Sequence, residues 1–239
     1  MNNFSDGIKK QVLNLIFVID NSGSMAGEKI GAVNNAIRDV MSIMPDIQDD
    51  TSDAEIKISA LVFSDDAKWV YTEPQTVDNF KWNDLNVNGG TNLSLAYDNL
   101  AVWLSRKESG GQMPDIGGVA PIIILMTDGM PTSYDWREHL EKLKKKGWFK
   151  VSLKYALAIG IDSNEAMDVL EAFTGSNETV LKIYTAEALR KVINVIAITA
   201  SKVKSNSATI SQNNQGQNVN DLAQKEINKT LEDVEDVEW

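Results

Sequence analysis

The segment Leu13 to Asp20, LNLIFVID, is apolar at nearly every position and rich in β-branched side chains, the pattern of a strand covered on both faces in a parallel sheet. It stops at a carboxylate. From Ala26 to Met44, Ile30, Val33, Ile37, Val40 and Met41 recur at intervals of three and four, which predicts a helix with one apolar stripe that Pro45 terminates. Glu55–Ser64 and Ala67–Thr72 read as two strands separated by Asp65 and Asp66, hence an antiparallel hairpin with a tight polar turn. After an Asn- and Gly-rich loop, Asn92–Lys107 predicts a helix, and a Gly/Pro-dense stretch leads into the most apolar strand, Ile122–Thr127, which also ends at a carboxylate, Asp128.

The remaining pattern predicts a charged helix over Ser133–Lys146 with Leu140 and Leu143 inward, a strand Val151–Ile159, a helix Asn164–Phe173 and a short strand Val180–Tyr184. A final helix begins near Glu187 with Thr185 as N-cap and buries Leu189, Val192, Ile193, Ile196 and Ile198. Strands alternating with helices predict a doubly wound α/β domain: a mostly parallel six-stranded sheet, one antiparallel edge strand, helices on both faces. The domain is expected over residues 1–204. From Ser205 periodicity is lost, so 205–239 reads as a polar linker and acidic tail.

Composition narrows the chemistry. There is no cysteine and a single histidine among 239 residues, which removes disulfides and thiolate metal sites and leaves a hard, oxygen-bound cation as the metal to expect. The net charge of −11 argues against a nucleic-acid partner, because phosphate binding relies on clustered Lys and Arg. Residues 205–239 contribute −5 of it, from seven acids against Lys225 and Lys229. No apolar run approaches the roughly 18–20 residues of a membrane span, and the N-terminus lacks the apolar core of a signal peptide, so a cytoplasmic location with no membrane contact is the expectation.

In an open α/β sheet, ligands bind beyond the carboxyl ends of the strands where strand order reverses. Asp20-Asn21-Ser22-Gly23-Ser24 follows the first strand, Gly89-Gly90-Thr91-Asn92 opens a helix, and Thr127-Asp128-Gly129 follows the strand at Ile122. Such a set suits Mg²⁺, which takes octahedral oxygen coordination, keeps several waters and seldom needs more than one or two carboxylates. Mn²⁺ or Ca²⁺ are the other candidates. Ser22 and Ser24, two apart on a loop turned by Gly23, can face one ion, with Asp20 and Asp128 bound directly or through water. A cage with few anionic ligands leaves the ion able to accept an outside carboxylate.

This arrangement resembles the von Willebrand factor A family, whose metal-ion-dependent adhesion site (MIDAS) combines Asp-x-Ser-x-Ser with a separate Thr and a separate Asp. The resemblance makes Ser22, Ser24 and Thr91 ligating hydroxyls and Asp20 and Asp128 direct or water-mediated ligands. It implies a module that grips an Asp or Glu carboxylate of a protein partner. The stretches from Met126 to Lys150, Tyr155 to Ser176 and Thr185 to Ser205 look like the bacterial TerY-like branch, associated with tellurium resistance and stress response. A protein kinase and a metal-dependent protein phosphatase are the partners that this resemblance implies. Met130 departs from the pattern, since an acidic residue is common there.

The rival reading is an enzyme, a Mg²⁺-dependent phosphatase of the haloacid dehalogenase type with Asp20 as nucleophile and Thr127 binding phosphate. Such enzymes use Asp-x-Asp with the second Asp as general acid, and Ser22 stands there. No Gly-x-x-x-x-Gly-Lys loop supports nucleotide binding. His139 is expected exposed or partly packed rather than catalytic. Trp69, Trp82, Trp103, Trp136 and Trp148 are expected in packing, with Trp136 also placed to line a partner surface. Asp65 and Asp66 read as turn residues. Thr230, before the acidic run LEDVEDVEW, is a candidate phosphorylation site, and the tail is also a candidate to offer a carboxylate to the metal of a neighbouring copy.

Overall fold

The computed structural model describes residues 11–50, 54–114, 118–161 and 163–195. Ile196, Ile198, the proposed linker and tail, and Thr230 lie outside the described residues.

Strand β1 (Gln11–Asp20) is the centre of the sheet. It pairs in parallel with β2 (Ala54–Phe63) along its whole length, and on its other side with β5 (Ile122–Thr127). Next in sequence to β2 come two short antiparallel partners, β3 (Ala67–Trp69) and β4 (Gln75–Thr76). β6 (Leu153–Ile159) and β7 (Val180–Ile183) extend the sheet in parallel, so the order is β3-β2-β1-β5-β6-β7 with β4 also on β2. The expected mostly parallel sheet with an antiparallel edge is present. β4 is too short to leave a periodic signal, and it covers the Lys57–Ile58 stretch of β2 that β3 does not reach.

β1 carries buried side chains on alternating faces. Leu13, Leu15, Phe17 and Ile19 pack with α1 (Glu28–Asp50) and with a helix over residues 186–195, whose Leu189, Val192 and Ile193 are buried. Ile16 and Val18 face α2 (Leu93–Trp103), α3 (Trp136–Lys144), α4 (Gly147–Val151) and α5 (Asn164–Thr174). Two apolar layers therefore clamp the sheet, and its strand ends are fixed from both sides. Asn92, Ser163 and Thr185 each cap a helix by accepting a backbone N–H, from Leu95, Ala166 and Ala188 respectively.

Several boundaries differ from the sequence pattern. α1 runs through Pro45 to Asp50. Proline removes one intrahelical bond, but buried Ile47 continues the apolar stripe and the Gln48 amide bonds both Ala54 O and Ile56 N at 2.7 Å. These contacts hold the extra turn. α3 starts at Trp136 rather than Ser133, and Val151 belongs to α4 rather than to the next strand. There Phe149 is buried and its carbonyl accepts from Ser152 N and Oγ, which closes the short helix before β6 begins. β3 ends at Trp69, three residues short of Thr72, where Trp69 stacks on Trp103 with ring centroids 3.7 Å apart.

Candidate metal centre

Strand order turns outward in both directions from the β1–β5 pair, and the loops that follow these two strands hold the oxygen-bearing residues. Asp20 closes β1 with its side chain fully buried. Its Oδ1 accepts from Ser22 N at 2.7 Å and its Oδ2 from the Thr127 hydroxyl at 2.6 Å. Ser22 Oγ lies 3.0 Å from Ser24 Oγ, and Ser24 Oγ donates to Asp128 Oδ1 at 2.7 Å. Four of the five expected ligand residues thus form one hydrogen-bonded cluster, which Asp20 joins through the Ser22 backbone N–H. Adjacent ligands of an octahedral ion with bonds of 2.0–2.1 Å stand about 2.9 Å apart, close to the Ser22–Ser24 and Ser24–Asp128 separations. The donor set therefore fits a small hard cation.

Thr91 is also buried, on a loop that backbone bonds tie to the loops of the cluster. Gly23 N bonds Gly89 O at 2.9 Å, Asn88 N bonds Asn21 O at 2.8 Å, and Thr132 N bonds Thr91 O at 2.9 Å, which ties all three loops together. Asp65 does more than turn the hairpin, because its Oδ1 accepts from Gly90 N at 2.8 Å. Gly89 has φ +65°, and a Cβ there would stand 2.3 Å from Asp65 Oδ2, so the close approach requires glycine. Among the described residues no group of three or more His, Asp, Glu or Cys gathers to hold a metal.

Burial, as the largest influence, raises the Asp20 pKa above the ordinary carboxylate value; hydrogen bonds from Thr127 and Ser22 oppose it, and nearby Asp128 adds to it. Asp128 has a partner that the sequence reading missed. Lys29 Nζ pairs with Asp128 Oδ2 at 2.5 Å, with the Asp128 side chain fully buried and the Lys29 side chain 31% exposed. One signal was available: Lys29 is the second residue of α1, where a cation opposes the helix dipole and so calls for an anionic partner. Thr127, weighed above for a phosphatase, is instead turned toward Asp20.

Exposed apolar side chains stand on the segments next to the cluster. Met130 and Tyr134, on the loop after Asp128, are exposed, and so is Leu95. Ser94 Oγ donates to Ser133 Oγ at 2.9 Å and to Asp135 Oδ1 at 2.6 Å, joining the start of α2 to that loop. Trp136 is buried, as expected for a packing residue, and so does not line a partner surface; the Arg137 guanidinium stands 4.4 Å from its ring centroid on the outside. The position two residues earlier takes the exposed aromatic role. His139 is partly packed, as expected, with Nδ1 2.7 Å from Asp98 and Nε2 3.2 Å from Asp135. The Asp98 hydrogen bond, foremost, raises the His139 pKa above its usual value.

The sequence profile of the von Willebrand factor type A domain matches residues 14–197. Inter-alpha-trypsin inhibitor heavy chain H4 from Homo sapiens is 30% identical over 134 residues, which cover 53% of this chain and 13% of that protein. Among solved structures, the pilus adhesin SpaC from Lactobacillus rhamnosus GG aligns with a TM-score of 0.64 at 14% identity, over 82% of this chain and 31% of the adhesin. Proximal thread matrix protein 1 from the mussel byssus, in a structure with a zinc-occupied MIDAS motif, aligns with a TM-score of 0.53 at 17% identity, over 80% of this chain and 46% of that one. All three are much longer proteins, and at these identities the two solved structures share the fold. Among the described residues no helix is long and apolar enough to cross a membrane.

Proposed function

This chain belongs to the von Willebrand factor type A domain family, and from that premise we propose that it is a protein-binding module rather than an enzyme, gripping a partner's Asp or Glu carboxylate through Mg²⁺. Asp20, Ser22, Ser24, Thr91 and Asp128 would hold the ion, which supplies a Lewis-acidic position for that carboxylate. Mn²⁺ and Ca²⁺ are alternative occupants of the same oxygens, and the zinc-occupied MIDAS of the mussel protein supports a divalent cation in such a site.

The observation that carries this reading is the hydrogen-bonded cluster that runs from Asp20 through Ser22 and Ser24 to Asp128, at the carboxyl ends of adjacent strands. Loops hold the hydroxyls while strands and two apolar layers hold the loops, so the site presents a rigid surface to a partner. Exposed Met130, Tyr134 and Leu95 would contact apolar groups flanking the partner's acid. A phosphatase fits less well, because Asp20 is fully buried and both its carboxylate oxygens already accept hydrogen bonds.

The narrower setting is proposed on sequence alone. Thr127-Asp128-Gly129-Met130-Pro131-Thr132 and the helix after it resemble the TerY-like branch, which suggests a cytoplasmic scaffold in a stress-response circuit with a protein kinase and a protein phosphatase. Isothermal titration with Mg²⁺, comparing wild type with Asp20→Ala, tests the metal. Capture of the candidate kinase or phosphatase in Mg²⁺ but not in EDTA tests the grip. Heat of binding in wild type that is absent from the variant supports the reading, and no binding to either protein at millimolar metal overturns it.

A further inference from the structure

Lys29 is the one cation that reaches into the oxygen cluster among the described residues. Its ammonium holds Asp128 Oδ2 while Ser24 holds Oδ1, so the carboxylate is bracketed by a hydroxyl and a fixed positive charge. The lysine stem passes close to Gly160, the residue after β6 with φ +63°, where a Cβ would stand 3.3 Å from Lys29 Cε. An ammonium in the first turn of α1 is opposed by the helix dipole, and burying the Asp128 side chain is costly unless it is paired. The placement therefore meets a need of the site rather than of the helix.

We infer that Lys29 sets the charge balance of the centre, weakening its hold on the divalent cation and strengthening its demand for an outside carboxylate. This rests on the metal reading above. The cluster contains the carboxylates Asp20 and Asp128 and the Lys29 ammonium, so a dication brings it to a formal charge of +1, whereas without the lysine it would be neutral. A residual positive charge in a partly buried site favours an anion at the open coordination position. The same charge repels the dication and competes with it for Asp128. Opposite effects on metal and on carboxylate follow from one side chain.

The test titrates the full chain with Mg²⁺ as wild type, Asp20→Asn, Lys29→Gln and Lys29→Arg, in chloride and with excess acetate as the carboxylate probe. Lys29→Gln is expected to bind Mg²⁺ on the order of tenfold more tightly than wild type in chloride, and Lys29→Arg to stay near wild type. Acetate is expected to raise the apparent Mg²⁺ affinity of wild type more than that of Lys29→Gln. Thermal melting adds a readout independent of partner binding: Lys29→Gln should melt lower than wild type in EDTA and gain more on adding Mg²⁺. If wild type binds Mg²⁺, Asp20→Asn does not, and Lys29→Gln binds no more tightly than wild type, the lysine merely props Asp128. The inference then falls while the metal site stands. If no variant and no wild type binds Mg²⁺, both fall together.

Discussion

The Thr127 hydroxyl donates to Asp20 Oδ2 at 2.6 Å, across the ends of two parallel strands whose neighbouring residues, Ile19 and Met126, are in register. This bond favours the ionised form of a carboxylate that burial otherwise disfavours. Thr127→Val keeps the shape and removes the donor, and also takes an acceptor from Gly129 N. The expected result is an Mg²⁺ affinity roughly 5- to 10-fold lower, corresponding to about 1 kcal/mol for one hydrogen bond, read by titration calorimetry at neutral pH.

Metal binding and stability should respond to pH in opposite ways through Asp20. The folded carboxyl has a pKa above its unfolded value, so the folded state binds the extra proton in the window between the two. Without metal, the stabilising contribution of Asp20 is present at low pH and lost as pH rises through the raised pKa. Mg²⁺ affinity instead grows over that window. Asp20→Asn should therefore melt higher than metal-free wild type at pH 7, by about 2–4 °C for each kcal/mol relieved, with the gap closing as pH falls below the ordinary carboxylate range.

The two-layer sheet was legible because β1 and β5 are long and apolar enough that periodicity leaves no competing assignment. The proximity of Asp20, Ser22, Ser24 and Asp128 was legible because the first three are close in sequence and Asp128, like Asp20, stands at the end of an apolar strand. What sequence did not reveal depends on contacts distant along the chain. Lys29 reaches Asp128 across 99 positions, and Asp65 reaches Gly90 across 25. α1 continues past Pro45 because Gln48 finds the start of β2, a tertiary gain that local propensity cannot register. The exposed Tyr134 went unmarked for a similar reason: α3 begins at Trp136, which is buried and leaves Tyr134 on the loop before it.

Gly89→Ala tests the Asp65 bracket. The φ of +65° strains any residue with a side chain, and a methyl group there would push against the Asp65 carboxylate. A loss of roughly 1–3 kcal/mol in stability is expected for the strained position, measured by denaturant midpoint. Because the same loop carries Thr91, Mg²⁺ affinity should fall as well.

His139 joins α3 to Asp98 on α2 and to Asp135 just before its own helix. Its pKa is raised, chiefly by the Asp98 hydrogen bond, so the stabilising contribution is fully present below about pH 6.5 and lost as pH rises through the folded value. The melting difference between wild type and His139→Gln should shrink across that range, and a ring titration followed by NMR should give a midpoint above the ordinary histidine value.

Tyr134→Ala and Met130→Ser probe the apolar rim. Both side chains are exposed, so stability should change by no more than about 0.5 kcal/mol and Mg²⁺ affinity should hold. Capture of a protein partner in Mg²⁺ should weaken. An unchanged capture would place the partner contact elsewhere on the domain.

The margins of the sheet are short. β3 has three residues and β7 four, whereas the ten-residue strands β1 and β2 lie inside. A long, flat margin would offer a row of free backbone groups on which further copies could add strand by strand. Here the apolar run of β1 lies between two other strands and stays covered unless the domain first unfolds. Folded copies can therefore reach high local concentration without their sheets fusing.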